Sequence, residues 1–200
     1  MTSIYDLKSC FQNLLRPAVR LIESKGFTAN QVTVFAFLLS VVTAIFLAIA
    51  PESRLPYFIY PLFLFIRMAL NAIDGMLARE FGQQSHLGAI LNELGDIFSD
   101  AALYLALGFI TGASMMLAAT FTTLAIATEV TGLITANIGA SRRYDGPMGK
   151  SDRAFAIGAF MFIAGIWPQI TEWLNALLVV LCLLCVGTVI NRIKKALREL

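Results

Sequence analysis

The sequence predicts an all-α integral membrane protein, and two features of its composition carry that prediction. Of the 200 residues, 58% are hydrophobic and only 14% are charged, and the mean hydropathy is +0.76. Ordinary soluble domains contain about 45–50% apolar residues and about 25% charged residues. A bilayer core of about 30 Å needs about 20 apolar residues per helix, so this length accommodates about five or six spans and no sizeable soluble domain.

Segment 1–26 is predicted to be an amphipathic helix on the membrane surface, because its apolar residues recur at helical spacing. They are Ile4, Leu7, Phe11, Leu14, Leu15, Val19 and Ile22. Segment 27–200 is predicted to form one domain of six transmembrane helices. The apolar runs that predict these helices lie at 31–50, 57–79, 87–111, 114–139, 154–172 and 174–193.

The basic residues predict the orientation of the helices. Arginine and lysine concentrate before the first span, in alternate connections and after the last span, whereas the opposite connections carry only Arg54. Cytoplasmic loops are enriched in lysine and arginine. Both termini, the 80–87 loop and the 141–153 loop are therefore predicted to face the cytoplasm, most simply in a bacterial inner membrane.

Carboxylates concentrate in the hairpin 71–100, which reads NAIDGMLAREFGQQSHLGAILNELGDIFSD. Charge inside a bilayer is expensive, so such residues mark either a functional site or a structural ion pair. With a rise of about 1.5 Å per residue, three pairs lie at matching depths on the two helices. These pairs are Asp74 with Asn92, Asn71 with Asp96, and Arg67 with Asp100.

The deepest pair has opposite charges, so Arg67 and Asp100 are predicted to form a structural ion pair. The two outer pairs each offer one carboxylate, one carboxamide and no cation. Magnesium takes one or two carboxylates and completes its coordination with water and phosphate oxygens. A Mg²⁺ or Mn²⁺ site is therefore predicted, with the ligands Asp74, Asp96, Asn71 and Asn92. Nearby glycines and alanine serve either close approach of a ligand or close helix packing, and the sequence leaves both open.

The hairpin resembles the signature of the CDP-alcohol phosphatidyltransferase family, D-x2-D-G-x2-A-R-x7/8-G-x3-D-x3-D. The matching residues are Asn71, Asp74, Gly75, Ala78, Arg79, Gly88, Asn92 and Asp96, so asparagine stands at the first and third acid positions. Two further segments resemble the family: FTANQVT at 27–33, which opens the first span, and GKSDR at 149–153, which precedes the fifth. The resemblance covers nearly the whole chain and agrees with six helices after an amphipathic one.

The resemblance implies an enzyme that transfers a phosphatidyl group from a CDP-linked donor, usually CDP-diacylglycerol, to an alcohol and releases CMP in phospholipid synthesis. It implies metal ligation by the acid positions and makes Asp96 the candidate catalytic base. The implied nucleotide pocket consists of Gly75, Ala78, Arg79, Gly88, Asn30 and Thr33. A homodimer is also implied.

The basic loop SRRYDGPMGKSDR at 141–153 is predicted to bind the acceptor through Lys150, Arg153 and Arg143, although it could simply be a topology signal that contacts lipid headgroups. A phosphorylated or otherwise anionic alcohol would fit such a loop best. The identity of the acceptor and the number of metal ions stay open, as do the roles of Glu129 and Glu93.

Two other functions remain possible from the sequence. Because two signature acids are asparagine, the chain could be a catalytically silent relative that binds CDP-linked lipid. Intramembrane acids also occur in ion-coupled transporters, although here they cluster near one face. A nucleic-acid partner is not expected.

Overall fold

The computed structural model describes the backbone of residues 4–200 and the side chains from residue 11 onward, so the predicted contributions of Ile4 and Leu7 lie outside the described side chains. Residues 4–200 form seven α-helices. They are α1 (Ile4–Ser24), α2 (Ala29–Ile49), α3 (Leu55–Glu80), α4 (His86–Ala106), α5 (Met115–Asn137), α6 (Lys150–Ile166) and α7 (Leu174–Glu199). Short 3₁₀ segments occupy Leu107–Phe109 and Pro168–Trp173.

Four helical segments are long and apolar enough to cross a bilayer, judged by length and composition. They are Ala29–Ile49, Leu55–Glu80, Met115–Asn137 and Pro168–Glu199. Helix α4 differs because it carries three carboxylates, and α6 has only 17 residues. Large apolar side chains face outward, among them Val42 at 60% exposure and Ile49 at 74%. The chain is an integral membrane protein with an all-α fold, which confirms the predicted fold class, whereas the number of six transmembrane helices stays a prediction.

Helix α6 differs at both ends from the predicted span to which it corresponds, 154–172. Helix α6 begins at Lys150, so that Lys150 and Arg153 lie in its first turn rather than in the preceding loop. It ends at Ile166 and not near residue 172, because Pro168 follows. The residue before a proline is disfavoured in the helical conformation, which stops α6 at this point.

The helices pack as a bundle in which neighbours in the chain are not always neighbours in space. Helix α2 contacts α3 and α4, α3 contacts α6, α4 contacts α5, and α5 contacts α7. Helix α1 lies against α3. The core contains fully buried apolar side chains such as Leu47, Leu103, Phe121 and Met161. A hydrogen bond of 2.9 Å from the Tyr60 hydroxyl to the Leu103 carbonyl joins α3 to α4 inside it.

The polar residues gather at one end of the bundle. This end contains the starts of α2, α4 and α6 and the ends of α3, α5 and α7. Two of the starts are capped: Thr28 and Gln31 form a reciprocal capping box at α2, and Ser85 accepts the Gly88 N–H at 2.9 Å at α4. Such caps satisfy backbone donors that the first turn leaves without partners. The helix starts are thereby held in place around the site.

Candidate active site

The hairpin of α3 and α4 brings its polar residues together in the order of depth that helical spacing predicts. Arg67 Nη1 lies 2.5 Å from Asp100 Oδ1. One turn closer to the loop, Asn71 Nδ2 donates to Asp96 Oδ1 at 2.9 Å. The short 81–85 connection accounts for this register, because it starts both helices from nearly one level. A small error in rise per residue therefore has little distance over which to accumulate.

The third pair lies at the mouth of the hairpin. Asp74 is buried, with 5% of its surface exposed, and its Oδ2 accepts a hydrogen bond from the Thr33 hydroxyl of α2 at 2.8 Å. Asn92 faces the same cavity as Asp74. Helix α2 thus supplies a third side to the predicted metal site, through Thr33, a residue that the family resemblance assigns to the nucleotide pocket.

We call this space the hairpin cavity; it has a volume of about 640 Å³. Every residue of the expected nucleotide pocket lines it, together with three of the four expected metal ligands. These lining residues are Asn30, Thr33, Asn71, Asp74, Gly75, Ala78, Arg79, Gly88 and Asn92. The connection between α3 and α4 adds polar groups that the sequence did not single out, including Gln83. Its Oε1 accepts the Ala29 N–H at 2.7 Å and so fixes the loop to the start of α2.

Two glycines of the hairpin cavity allow side chains to lie close to a helix backbone. A Cβ on Gly75 would lie 2.9 Å from Arg79 Nη2, and a Cβ on Gly88 would lie 2.6 Å from Asn30 Oδ1. Real Cβ atoms essentially never come within 3.0 Å of another heavy atom. Any residue other than glycine at position 75 or 88 would therefore displace a side chain that lines the cavity.

Asp96 has cationic partners, contrary to the expectation that the Asn71–Asp96 pair has no cation beside it. Lys150 Nζ, from the first turn of α6, lies 2.5 Å from Asp96 Oδ1, and Arg67 Nη2 lies 3.2 Å from the same oxygen. Spacing within the hairpin could not reveal Lys150, because this residue reaches the site through the packing of α6 against α3. Two basic side chains therefore already balance the charge of Asp96, so this carboxylate does not depend on a metal ion for its counter-charge.

Asp96 also lines a second space, which we call the loop cavity, with a volume of about 310 Å³. Its charged lining residues are Glu93, Asp96, Asp100, Glu129, Arg142, Lys150, Asp152 and Arg192. Of the three residues expected to bind the acceptor, only Lys150 lies here. Arg142 and Arg192 take the places expected for Arg143 and Arg153, and charge alone does not distinguish these arginines in the sequence.

The structure corrects the expected roles of Arg143 and Arg153. Arg143 turns away from the loop cavity and pairs with Glu199 near the end of α7. Arg153 is fully buried behind the cavity wall, 2.9 Å from Glu129 and 3.5 Å from Asp100. Arg153 therefore neutralises two carboxylates as a structural cation, and it is not exposed to an acceptor.

Arg153 is the centre of an ionic chain that crosses the bundle. It joins the Arg67–Asp100 pair of the hairpin to Glu129 of α5, and Glu129 lies 3.9 Å from Arg192 of α7. This explains the presence of Glu129, for which the sequence offered no partner. Removing one partner of such a buried pair costs about 3–5 kcal/mol, because the other charge is left without compensation.

Outside the helices, Asp145 anchors the loop between α5 and α6. Its Oδ2 lies 2.7 Å from Lys195 Nζ. Partial burial acts to raise the pKa of Asp145, but the hydrogen bond and charge of Lys195 outweigh burial and lower that pKa. The loop that covers the second cavity is therefore tied to the end of α7 by an ionised carboxylate.

The donor set of the hairpin cavity fits one divalent cation. The described residues contain no group of three or more His, Cys, Asp or Glu side chains that could hold a metal. One carboxylate residue, Asp74, and two carboxamide residues, Asn71 and Asn92, line a single cavity. Magnesium and manganese accept such oxygens and complete their coordination with water and substrate phosphate. Asp96 lines the loop cavity and not the hairpin cavity, and its carboxylate is paired with Lys150.

A third space lies between α3 and α6 and is mainly apolar. This α3–α6 groove has a volume of about 410 Å³ and runs past Leu64, Phe65 and Phe155. At its polar end it reaches Asn71, which also lines the hairpin cavity, and Lys150, which also lines the loop cavity. All three spaces therefore meet around Asn71, Asp96 and Lys150.

Comparisons with known proteins agree with this fold. The inner membrane protein YnbA of Escherichia coli is 44% identical over 197 residues, which cover 98% of this chain and 96% of that protein. Two crystal structures of a Mycobacterium tuberculosis phosphatidylinositol phosphate synthase have the same fold, each with a TM-score of 0.76. The structure with CDP-DAG bound is 20% identical and covers 90% of this chain and 92% of the other. The structure in complex with manganese and citrate is 19% identical, with coverages of 90% and 87%.

A sequence model of one protein family matches most of the chain. The sequence model of the CDP-alcohol phosphatidyltransferases matches residues 27–186, from the residue before the α2 cap to the middle of α7. This range includes the hairpin, the α3–α6 groove and every residue that lines the two cavities except Arg192. The protein therefore belongs to the CDP-alcohol phosphatidyltransferase family.

Proposed function

We propose that the protein transfers a phosphatidyl group from CDP-diacylglycerol to a small alcohol and releases CMP. The observation that carries this proposal is the meeting of three spaces at one polar centre. The hairpin cavity suits a nucleotide diphosphate, the loop cavity suits a small alcohol, and the α3–α6 groove suits acyl chains. Asn71 and Lys150 lie where these spaces adjoin.

The hairpin cavity is proposed to hold the CDP part of the donor. Its volume lies within the range of about 300–1,000 Å³ that is usual for small-molecule sites. Arg79 supplies a positive charge, Asn30 and Thr33 supply hydrogen-bonding groups, and the two glycines let Arg79 and Asn30 lie against the helix backbone. The family structure with CDP-DAG bound supports a CDP-linked lipid as the donor.

One Mg²⁺ or Mn²⁺ ion is proposed to bind at Asp74, Asn71 and Asn92 together with the diphosphate. When bound, this ion would neutralise phosphate charge and polarise the phosphoryl oxygens, which is what phosphoryl transfer chiefly requires. The manganese complex of the related synthase supports a divalent cation. Carboxamides in place of two signature acids reduce the negative charge of the site by two, which suits one ion better than two.

The acceptor is proposed to enter through the loop cavity and to present its hydroxyl to Asp96. An oxygen–phosphorus bond then forms between the acceptor and the phosphorus that carries diacylglycerol, and the bond from that phosphorus to CMP breaks. The hydroxyl proton moves to Asp96, and CMP leaves with the electrons of the broken bond. Lys150 and Arg67 hold the Asp96 carboxylate in a fixed orientation at the junction of the two cavities.

The apolar groove between α3 and α6 is proposed to hold an acyl chain of the donor. It is continuous with the polar centre through Asn71 and Lys150, whereas its remaining lining is mostly apolar. A lipid lying there would place its phosphate beside both cavities. We further propose that both termini and this site face the cytoplasm, because the basic residues at this end of the bundle satisfy the positive-inside rule.

The test is CMP release from CDP-diacylglycerol by the purified protein in detergent, with Mn²⁺ or Mg²⁺ and a panel of alcohols. We expect release that depends on metal and alcohol and that is lost in both Asp74→Asn and Asp96→Asn. The matched control is Glu80→Gln, which removes a carboxylate from the end of α3 whose partner is the exposed Arg16. Full activity in both aspartate variants would contradict the proposal.

A second function is favoured by a specific observation. Asp96 is paired with Lys150, and two signature acids are asparagine, so a relative that binds CDP-diacylglycerol without consuming it would use much of the same site. Binding of CDP-diacylglycerol with no CMP release, for every alcohol and either metal, would identify this silent relative. Detergent-solution mass measurements would separately test the homodimer that the family resemblance implies.

A further inference from the structure

The charged lining of the loop cavity restricts the chemical class of the acceptor, if the proposed transferase reaction is correct. Three cationic side chains face this cavity, and five carboxylates face it with them. The cations are Arg142, Lys150 and Arg192, and the carboxylates are Glu93, Asp96, Asp100, Glu129 and Asp152. A loop that looks basic in the sequence thus encloses a cavity in which acidic side chains outnumber basic ones.

Arg142 is already committed to a carboxylate of this chain. It donates from both terminal nitrogens to Glu93, one bond being 2.8 Å between Nη2 and Oε2. Its guanidinium also lies 5.0 Å from the centre of the Tyr144 ring, a cation–π distance. A two-point pair of this kind fixes the guanidinium plane, so Arg142 cannot turn to a phosphate without leaving Glu93.

Lys150 and Arg192 are committed as well. Lys150 is paired with Asp96 at 2.5 Å. Arg192 is 1% exposed and donates to three backbone carbonyls, those of Thr128, Tyr144 and Asp145. Each cation that an anionic acceptor could use is therefore occupied by an oxygen of the protein itself.

The two arginines behind the cavity wall bring the cluster to neutrality but do not make it positive. Arg67 and Arg153 contact Asp100, Asp96 and Glu129 from the core side. When these two are counted with the lining, five cations face five carboxylates, and the cluster is neutral. A phosphate entering the cavity would add negative charge to a balanced cluster and would lie among carboxylates that repel it. A hydroxyl or ammonium group would instead find carboxylate lone pairs to which it can donate.

We infer that the acceptor is a small hydroxyl compound that carries no phosphate, of the polyol or amino-alcohol class. This replaces the sequence-based expectation of an anionic acceptor, which depended on Arg143, Lys150 and Arg153 being available. A volume of about 310 Å³ suits a molecule of that size. The specificity arises mainly from Glu93 and Glu129, which neutralise Arg142 and the Arg153–Arg192 pair.

The test compares alcohols that differ only in a phosphate. CMP release from CDP-diacylglycerol is measured with glycerol against glycerol 3-phosphate, and with inositol against inositol phosphate, with ethanolamine as an amino alcohol. We expect kcat/KM to be at least about tenfold higher for an unphosphorylated member, since discrimination appears in that ratio. Preference for the phosphorylated members would overturn this inference while leaving the transferase proposal intact.

CMP release with none of the alcohols would overturn both this inference and the transferase proposal. A separate measurement of CDP-diacylglycerol binding would then show whether the silent relative is the correct alternative.

A substitution in the loop cavity tests the charge argument directly. Glu93→Gln should free Arg142 and raise the rate with glycerol 3-phosphate relative to glycerol by about tenfold. Glu80→Gln, which lies outside the loop cavity, should leave that ratio unchanged. An unchanged ratio in Glu93→Gln would overturn the role assigned to this pair.

Discussion

Gly88 lies in the first turn of α4 at a point where the side chain of Asn30 comes close to the helix backbone. In Gly88→Ala the new Cβ would lie 2.6 Å from Asn30 Oδ1 and 3.0 Å from Ser85 Oγ. Ordinary contact begins at 3.4 Å, so Asn30 or α4 must move by about 0.8 Å, which is 3.4 minus 2.6. The substitution should therefore displace a polar group of the hairpin cavity by most of an ångström.

A misplacement of about 1 Å can lower an enzymatic rate by about 10²-fold. We expect Gly88→Ala to reduce kcat/KM for CDP-diacylglycerol by about 10-fold to 10²-fold, corresponding to about 1.4–2.7 kcal/mol of transition-state stabilisation. Stability should not fall in parallel, because alanine is favoured over glycine in a helix by up to about 1 kcal/mol. Loss of activity without loss of thermal stability is therefore the expected combination.

The matched control lies two turns further along the same helix. A Cβ on Gly95 would meet only Thr33 Cγ2, at 3.6 Å, which is ordinary van der Waals contact. Gly95→Ala should gain the same helix propensity and keep its activity. CMP release and thermal unfolding in detergent are measured for both variants. Equal activities in the two would refute the argument that the close approach of Asn30 makes glycine necessary at position 88.

Three further predictions concern the metal, the buried charges and the loop. Chelation of divalent metal should abolish CMP release, and adding back Mn²⁺ or Mg²⁺ should restore it, as a metal titration would show. Arg153→Met should lower the free energy of unfolding by about 3–5 kcal/mol. The exposed counterpart Arg16→Met should cost less than about 1 kcal/mol in the same denaturation assay, and equal losses would contradict the buried network. Because the pKa of Asp145 is lowered on folding, its contribution is present above about pH 4 and is lost as pH falls through the folded value. The difference in thermal stability between wild type and Asp145→Asn should therefore disappear at acid pH.

The hairpin could be predicted well because its geometry is local. Helices α3 and α4 are consecutive, the connection is short, and each residue advances the chain by a nearly constant rise. Counting from the loop was therefore sufficient to place Arg67 beside Asp100 and Asn71 beside Asp96. The outward-facing apolar residues likewise follow from composition, since lipid accepts them at any position round the bundle.

The counter-charges of the carboxylates depended on the tertiary structure. Lys150 reaches Asp96, Arg142 reaches Glu93, and Arg153 reaches Glu129 only because α6, α5 and the loop between them pack against the hairpin. The residues in these pairs are separated in sequence by 24 or more positions. No periodicity relates such residues, because the angle and depth at which one helix meets another arise from the packing of the whole bundle. The sequence alone thus determined the helices, the family signature and the hairpin register, whereas only the folded bundle decided which basic residues remain available to a substrate.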